Sequence, residues 1–146
     1  MRRKILFVPA LLIIASALAA GCGPAKKSDS GQTVPKGEVE KVELVYFHPR
    51  IRCLSCNNVE KYAREVAEDD FSPEMRSGKL AYRSLQIEDP KNRELVDELE
   101  VVGSSLYLVV EGAGKTAHRE IKDVWFYWDK PAECKKIISD ELSKYL

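Results

Sequence analysis

The chain has 146 residues, with 23 basic and 23 acidic side chains, only two histidines and four cysteines. So balanced a charge gives no basic footing for a polyanion, so nucleic acid is excluded as a partner class. The length suits one small domain with a short leader.

Residues 1–21 read as a signal peptide. Arg2-Arg3-Lys4 gives a positive start, and Ile5 to Leu18 is apolar apart from Pro9 and Ser16, too short for a spanning helix. Ala19-Ala20-Gly21 then precede Cys22. Small residues leading into a cysteine resemble a bacterial lipobox, which implies a lipid on the Cys22 thiol and cleavage just before it. The expectation is an exported protein, lipid-anchored to a membrane and facing the periplasm or the cell exterior; more than one acyl chain is needed for firm anchoring. Removing residues 1–21 takes away three basic and no acidic residues, leaving a formal net charge of −3. Residues 22–37, rich in Lys, Ser, Gly and Pro, read as a flexible tether, and 38–146 as the domain.

Within that domain, 42–48 is dense in strand formers and stops at Pro49, which predicts a first, central strand. From 54 to 68, Val59, Tyr62, Ala63, Val66 and Ala67 fall at helical spacing, and a turn through Ser72-Pro73 and Ser77-Gly78 follows. A second strand is expected over 79–87. Asp89-Pro90 then opens a helix reaching about Leu99, with proline in its first turn. Strands at 106–110 and 116–121, joined through Gly112-Ala113-Gly114, predict an antiparallel hairpin. The chain closes with 124–128 and a helix over 132–145. The order β-α-β-α-β-β-α predicts an α/β fold: a mixed four-stranded sheet with helices on both faces, built from two parallel crossovers and a hairpin.

With Cys22 assigned to the lipid, Cys53, Cys56 and Cys134 remain, an odd number that argues against a framework of paired bridges. Cys53-Leu54-Ser55-Cys56 lies between the first strand and the first helix. A four-ligand zinc site lacks ligands, since His48, His118 and Cys134 are the other candidates, and a haem attachment would need histidine where Asn57 stands. No metal or cofactor is therefore expected, and a redox pair is. Cys53 at a helix N-terminus, beside Arg52 and with Arg50 and His48 close in sequence, is favoured as a thiolate nucleophile, with Cys56 resolving. Cys134, on the apolar face of the last helix, reads as an inert thiol, Trp125 to Trp128 as packing, and His118 receives no role.

This strand–CxxC–helix order resembles the thioredoxin superfamily over 42–146. More narrowly, Val45-Tyr46-Phe47-His48, Arg52-Cys53-x-x-Cys56, Val59-Glu60-x-Tyr62, Ser105-Leu106, Val124-Trp125 and the ending Asp140-Glu141-Leu142 to Tyr145-Leu146 resemble the nitrophenyl compound nitroreductase subunit (ArsF) family. That resemblance implies electron transfer supporting reduction of nitroaromatic arsenicals, with a partner redox protein or a CcdA-like membrane electron carrier. It also sets departures from thioredoxin itself: Leu54-Ser55 between the cysteines, Ser105 in place of the cis-proline facing the pair, and Phe47 in place of a buried aspartate, with His48 as the substitute helper. A competing reading is a soft-metal or metalloid chaperone in which the same thiolates hold Cu(I) or As(III). A third is an interaction module with a structural disulfide.

Overall fold

The computed structural model describes residues 34–146; the expected leader, Cys22 and residues 22–33 of the expected tether lie outside the described residues. The strands are β1 (Val39–His48), β2 (Leu80–Gln86), β3 (Ser105–Gly112) and β4 (Lys115–Glu120). The helices are α1 (Leu54–Glu65), α2 (Ser72–Ser77), α3 (Arg93–Glu98) and α4 (Pro131–Leu142). Short 3-10 turns occupy Lys36–Glu38, Pro90–Asn92 and Lys122–Phe126, and a π turn at Val66–Asp70 follows α1.

The sheet order is β2-β1-β3-β4. β1 runs parallel to β2 and antiparallel to β3, and β3 is antiparallel to β4. These directions make a thioredoxin-like α/β fold with a mixed four-stranded sheet. They also correct the expected second parallel crossover: the chain passes from β2 through α3 across β1 and returns on its far side in the opposite direction. The hairpin forms as expected. Its two-residue loop, Ala113 at φ 51° and Gly114 at φ 68°, puts both central residues in the left-handed region that twists a tight hairpin correctly.

Alternation along β1 divides the core. Val42, Leu44 and Tyr46 face α1 and α4, where Leu106, Leu108, Val59, Ala63, Val66, Cys134, Ile138 and Leu142 complete the larger cluster. Val45 and Phe47 face the other way, against Val96, Leu99, Val101 and Val109 beneath α3. The larger cluster dominates stability, since each large apolar side chain fully buried contributes roughly 1.5–3 kcal/mol.

α1 takes its register from Cys53, whose sulfur caps the helix by accepting from the Cys56 N–H. Its apolar residues recur at three- and four-residue steps, and the π turn ends it when Phe71 N–H reaches back to the Val66 carbonyl at 3.2 Å. The stretch expected as a turn at Ser72-Pro73 is instead the start of α2, with Pro73 in its first turn and Gly78 at φ 77° closing it. β1 begins three residues before its expected start. Val34, expected in the tether, is 3% exposed and packed in the main cluster. Among the described residues no helix is long and apolar enough to cross a membrane.

Candidate functional site: a disulfide over a buried polar layer

Cys53 and Cys56 are joined as a disulfide, with Cα atoms 5.1 Å apart. Cys53 is exposed at the N-cap of α1, while Cys56 is 6% exposed on the first turn. The Cys56 N–H donates to Cys53 Sγ at 3.2 Å, and the Ser55 hydroxyl lies 3.1 Å from the same sulfur. Cys53 is thus the sulfur open to solvent, and it sits where unpaired helix N–H groups favour negative charge.

Two contacts hold Cys56. The Ser104 hydroxyl donates to its sulfur at 3.4 Å, and the Tyr46 hydroxyl donates to its carbonyl at 2.8 Å. Ser104 was not singled out by sequence reasoning, which chose Ser105. Ser105 opens β3 buried, opposite Phe47, with a hydroxyl that finds no protein partner. Among the described residues every peptide bond is trans, so the loop facing the disulfide has no cis-proline counterpart. Phe47 likewise points to the α3 side of the sheet, edge-on to Tyr107 at 5.9 Å. By strand parity the β1 residue beneath the pair is Tyr46.

Behind the disulfide lies a polar layer inside an otherwise apolar helix–sheet interface. Glu60, four residues beyond Cys56 on α1, is 7% exposed. One carboxylate oxygen accepts from Ser84 on β2 at 2.6 Å and from Arg64 at 3.3 Å; the other is paired with Arg52. The Arg52 guanidinium also meets His48 Nε2 at 2.5 Å, and His48 Nδ1 lies 3.1 Å from the Pro49 carbonyl. The tautomer with hydrogen on Nδ1 serves both contacts, donating to Pro49 and accepting from Arg52. His48 also stacks with Tyr46, ring centroids 6.2 Å apart.

Burial pushes the Tyr46 hydroxyl up to about 12, and the Glu60 carboxylate adds to the rise. Tyr82, whose hydroxyl reaches the Glu60 carbonyl at 3.4 Å, is pushed up to about 12 by burial and by the same carboxylate. Both phenols remain neutral donors at ordinary pH.

The structure therefore brings together Cys53, Cys56, Arg52 and His48, and leaves Ser105 one residue from the contact. Arg52 faces Glu60 and His48, not the Cys53 sulfur as its neighbourhood in sequence suggested. Arg50 is exposed, its backbone N–H donating to Glu88 at 3.1 and 3.2 Å. Glu60 was missed, although a carboxylate on the apolar stripe that contains Cys56, Val59 and Ala63 is a legible signal. Three large apolar side chains stand out near the pair: Ile51, Leu54 and Val102 are 87%, 66% and 100% exposed. Of the aromatic run read as packing, Trp125 and Trp128 lie against the core, but Phe126 is 76% exposed. His118 lines a cavity of about 280 Å³ under α3, on the opposite face of the sheet from the pair.

Fold and site together define a thioredoxin-like domain carrying an oxidised C-x-x-C pair at the start of its first helix. No family model matches the chain, and no curated protein matches it. A thioredoxin from Thermus thermophilus, solved in solution, is similar at 21% identity over 55% of this chain, with a TM-score of 0.35. The similarity spans 58% of that protein's length, under two thirds of it. The fold assignment rests on the strand order and directions of the sheet itself.

Proposed function

We propose that the protein is a membrane-tethered, extracytoplasmic thiol–disulfide electron relay. The observation that carries this reading is the asymmetry of the pair: Cys53 exposed at a helix N-cap and Cys56 buried one turn in. In the reduced protein the Cys53 thiolate attacks one sulfur of a partner disulfide, forming a mixed disulfide while the other partner sulfur leaves as a thiolate. Cys56 then loses its proton and attacks Cys53 Sγ. The second partner thiolate departs, the intramolecular disulfide re-forms, and two electrons have passed to the partner. Ser104 and the helix N–H groups are placed to stabilise sulfur anions during both steps. Ile51, Leu54 and Val102 offer an apolar rim suited to a partner protein.

The lipoprotein-like leader supports anchorage through Cys22 outside the cytoplasm, and the local sequence resemblance supports a role as a subunit assisting nitroaromatic or organoarsenical reduction. A CcdA-like membrane electron carrier is the matching donor. The test is a glutathione redox titration of the full chain, trapped by alkylation and read by mass. A reversible two-electron couple lost in Cys53→Ser is expected; its absence overturns the relay. The all-trans serine loop facing the pair supports one other reading, a Cu(I) or As(III) chaperone. A stoichiometric thiolate–metal absorption band without a reversible couple is the result that selects it.

A further inference from the structure

Arg52 precedes the exposed sulfur, yet its guanidinium is turned under α1. There it pairs with Glu60 and His48, while Cys53 Sγ is met by the Cys56 N–H and the Ser55 hydroxyl. Glu60 cannot follow Arg52 outward, because its other oxygen is tied to Ser84 on β2 at 2.6 Å. We propose that Glu60 is a positioning residue that sets the redox poise of the Cys53–Cys56 couple by neutralising and holding Arg52 beneath the helix. The proposal rests on the relay reading above and goes beyond it, because it says what tunes the couple.

The groups facing this carboxylate come from every packed element. β1 contributes Tyr46 and His48, β2 contributes Tyr82 and Ser84, the loop before the pair contributes Arg52, and α1 itself contributes Arg64. The tyrosines are neutral, and Arg64, with its side chain half exposed, is screened by solvent. The least solvent-screened charges are therefore Glu60, 9% exposed at its side chain, and Arg52, 30% exposed.

The disulfide form carries no charge at the pair, whereas the reduced form carries a thiolate. A nearby cation favours the reduced form and makes the couple more oxidising, and a nearby carboxylate does the reverse. Glu60→Gln keeps the shape and the hydrogen-bonding reach but frees the cation. The dithiol–disulfide equilibrium with glutathione is expected to move toward the reduced protein by about tenfold, equivalent to about 30 mV for two electrons. Cys53 alkylation should become half-maximal at lower pH. Arg52→Gln leaves the carboxylate uncancelled and is expected to shift both readouts the other way, by a similar factor. The double variant returns close to wild type.

The full chain is equilibrated in glutathione buffers and trapped by alkylation. Single variants that shift in the same direction, or not at all, overturn the proposal, as does a double variant that keeps the full shift of either single one. If Glu60→Gln does not fold, Glu60→Asp replaces it: drawing the carboxylate back by one methylene gives a smaller shift in the same direction as Gln, and no shift overturns the proposal. A wild-type chain without a reversible couple sinks the relay reading instead, so the two failures are distinguishable.

Discussion

Cys134 shows how position, not residue type, decides what a thiol can do. It is fully buried on α4 with its sulfur 3.9 Å from the Val124 carbonyl, and burial pushes the thiol up to about 11. Since the thiolate is the reactive form, Cys134 is expected to react slowly at neutral pH. In the reduced native protein, iodoacetamide should label Cys53 first and leave Cys134 unmodified until denaturant is added; labelling of Cys134 at the rate of Cys53 would contradict this assignment. Cys53 and Cys56 were legible because their spacing and their place between strand and helix are local features. The partner of Arg52 was not, since Glu60 is eight residues on and is itself fixed by Ser84 from another strand. Only the tertiary fold brings three such groups together.

At the scale of elements, β3 and the segment before β1 approach closely at Gly112. A Cβ at Gly112 would lie 2.0 Å from the Glu38 carbonyl oxygen and 2.8 Å from Val34 Cγ1. Gly112→Ala is expected to push this segment away from the end of β3 and to cost about 1–3 kcal/mol, as other overpacking changes do. A lower urea midpoint checks it, and an unchanged midpoint refutes it. The sequence was informative where periodicity was strong, as in α1 and the closing helix. It failed on the direction of β3, because Leu106, Leu108 and Val110 alternate identically whether a strand runs up or down. It failed on α2 because Ser72-Pro73 punctuates a turn and a helix start alike.

For the whole molecule, the raised tyrosines Tyr46 and Tyr82 predict alkaline weakening. Both Tyr46 and Tyr82 are held protonated up to about 12, above their ordinary value of 10.0. Between those values the unfolded chain has given up protons that the folded chain retains, so rising pH favours unfolding. Stability declines from about pH 9, where the Cys134 thiol of the unfolded chain begins to ionise, toward pH 12, with Tyr46 accounting for on the order of 2 kcal/mol and the partly exposed Tyr82 for less. Urea midpoints measured from pH 9 to 12 should show the decline, and Tyr46→Phe should flatten it. An equal decline in that variant would place the cause elsewhere.

β1 also has a mechanical consequence. Val34 docks near its first residue and the disulfide lies just past its last, so the strand separates the two by about 30 Å at roughly 3.3 Å per residue. Under the proposed acylation of Cys22, the twelve residue steps to Val34 reach at most about 40 Å. An upright domain would carry its reactive sulfur like the tip of a crane, up to about 70 Å above the lipid, within range of a soluble partner. To meet an electron carrier embedded in the bilayer it must tip over and lie along the surface.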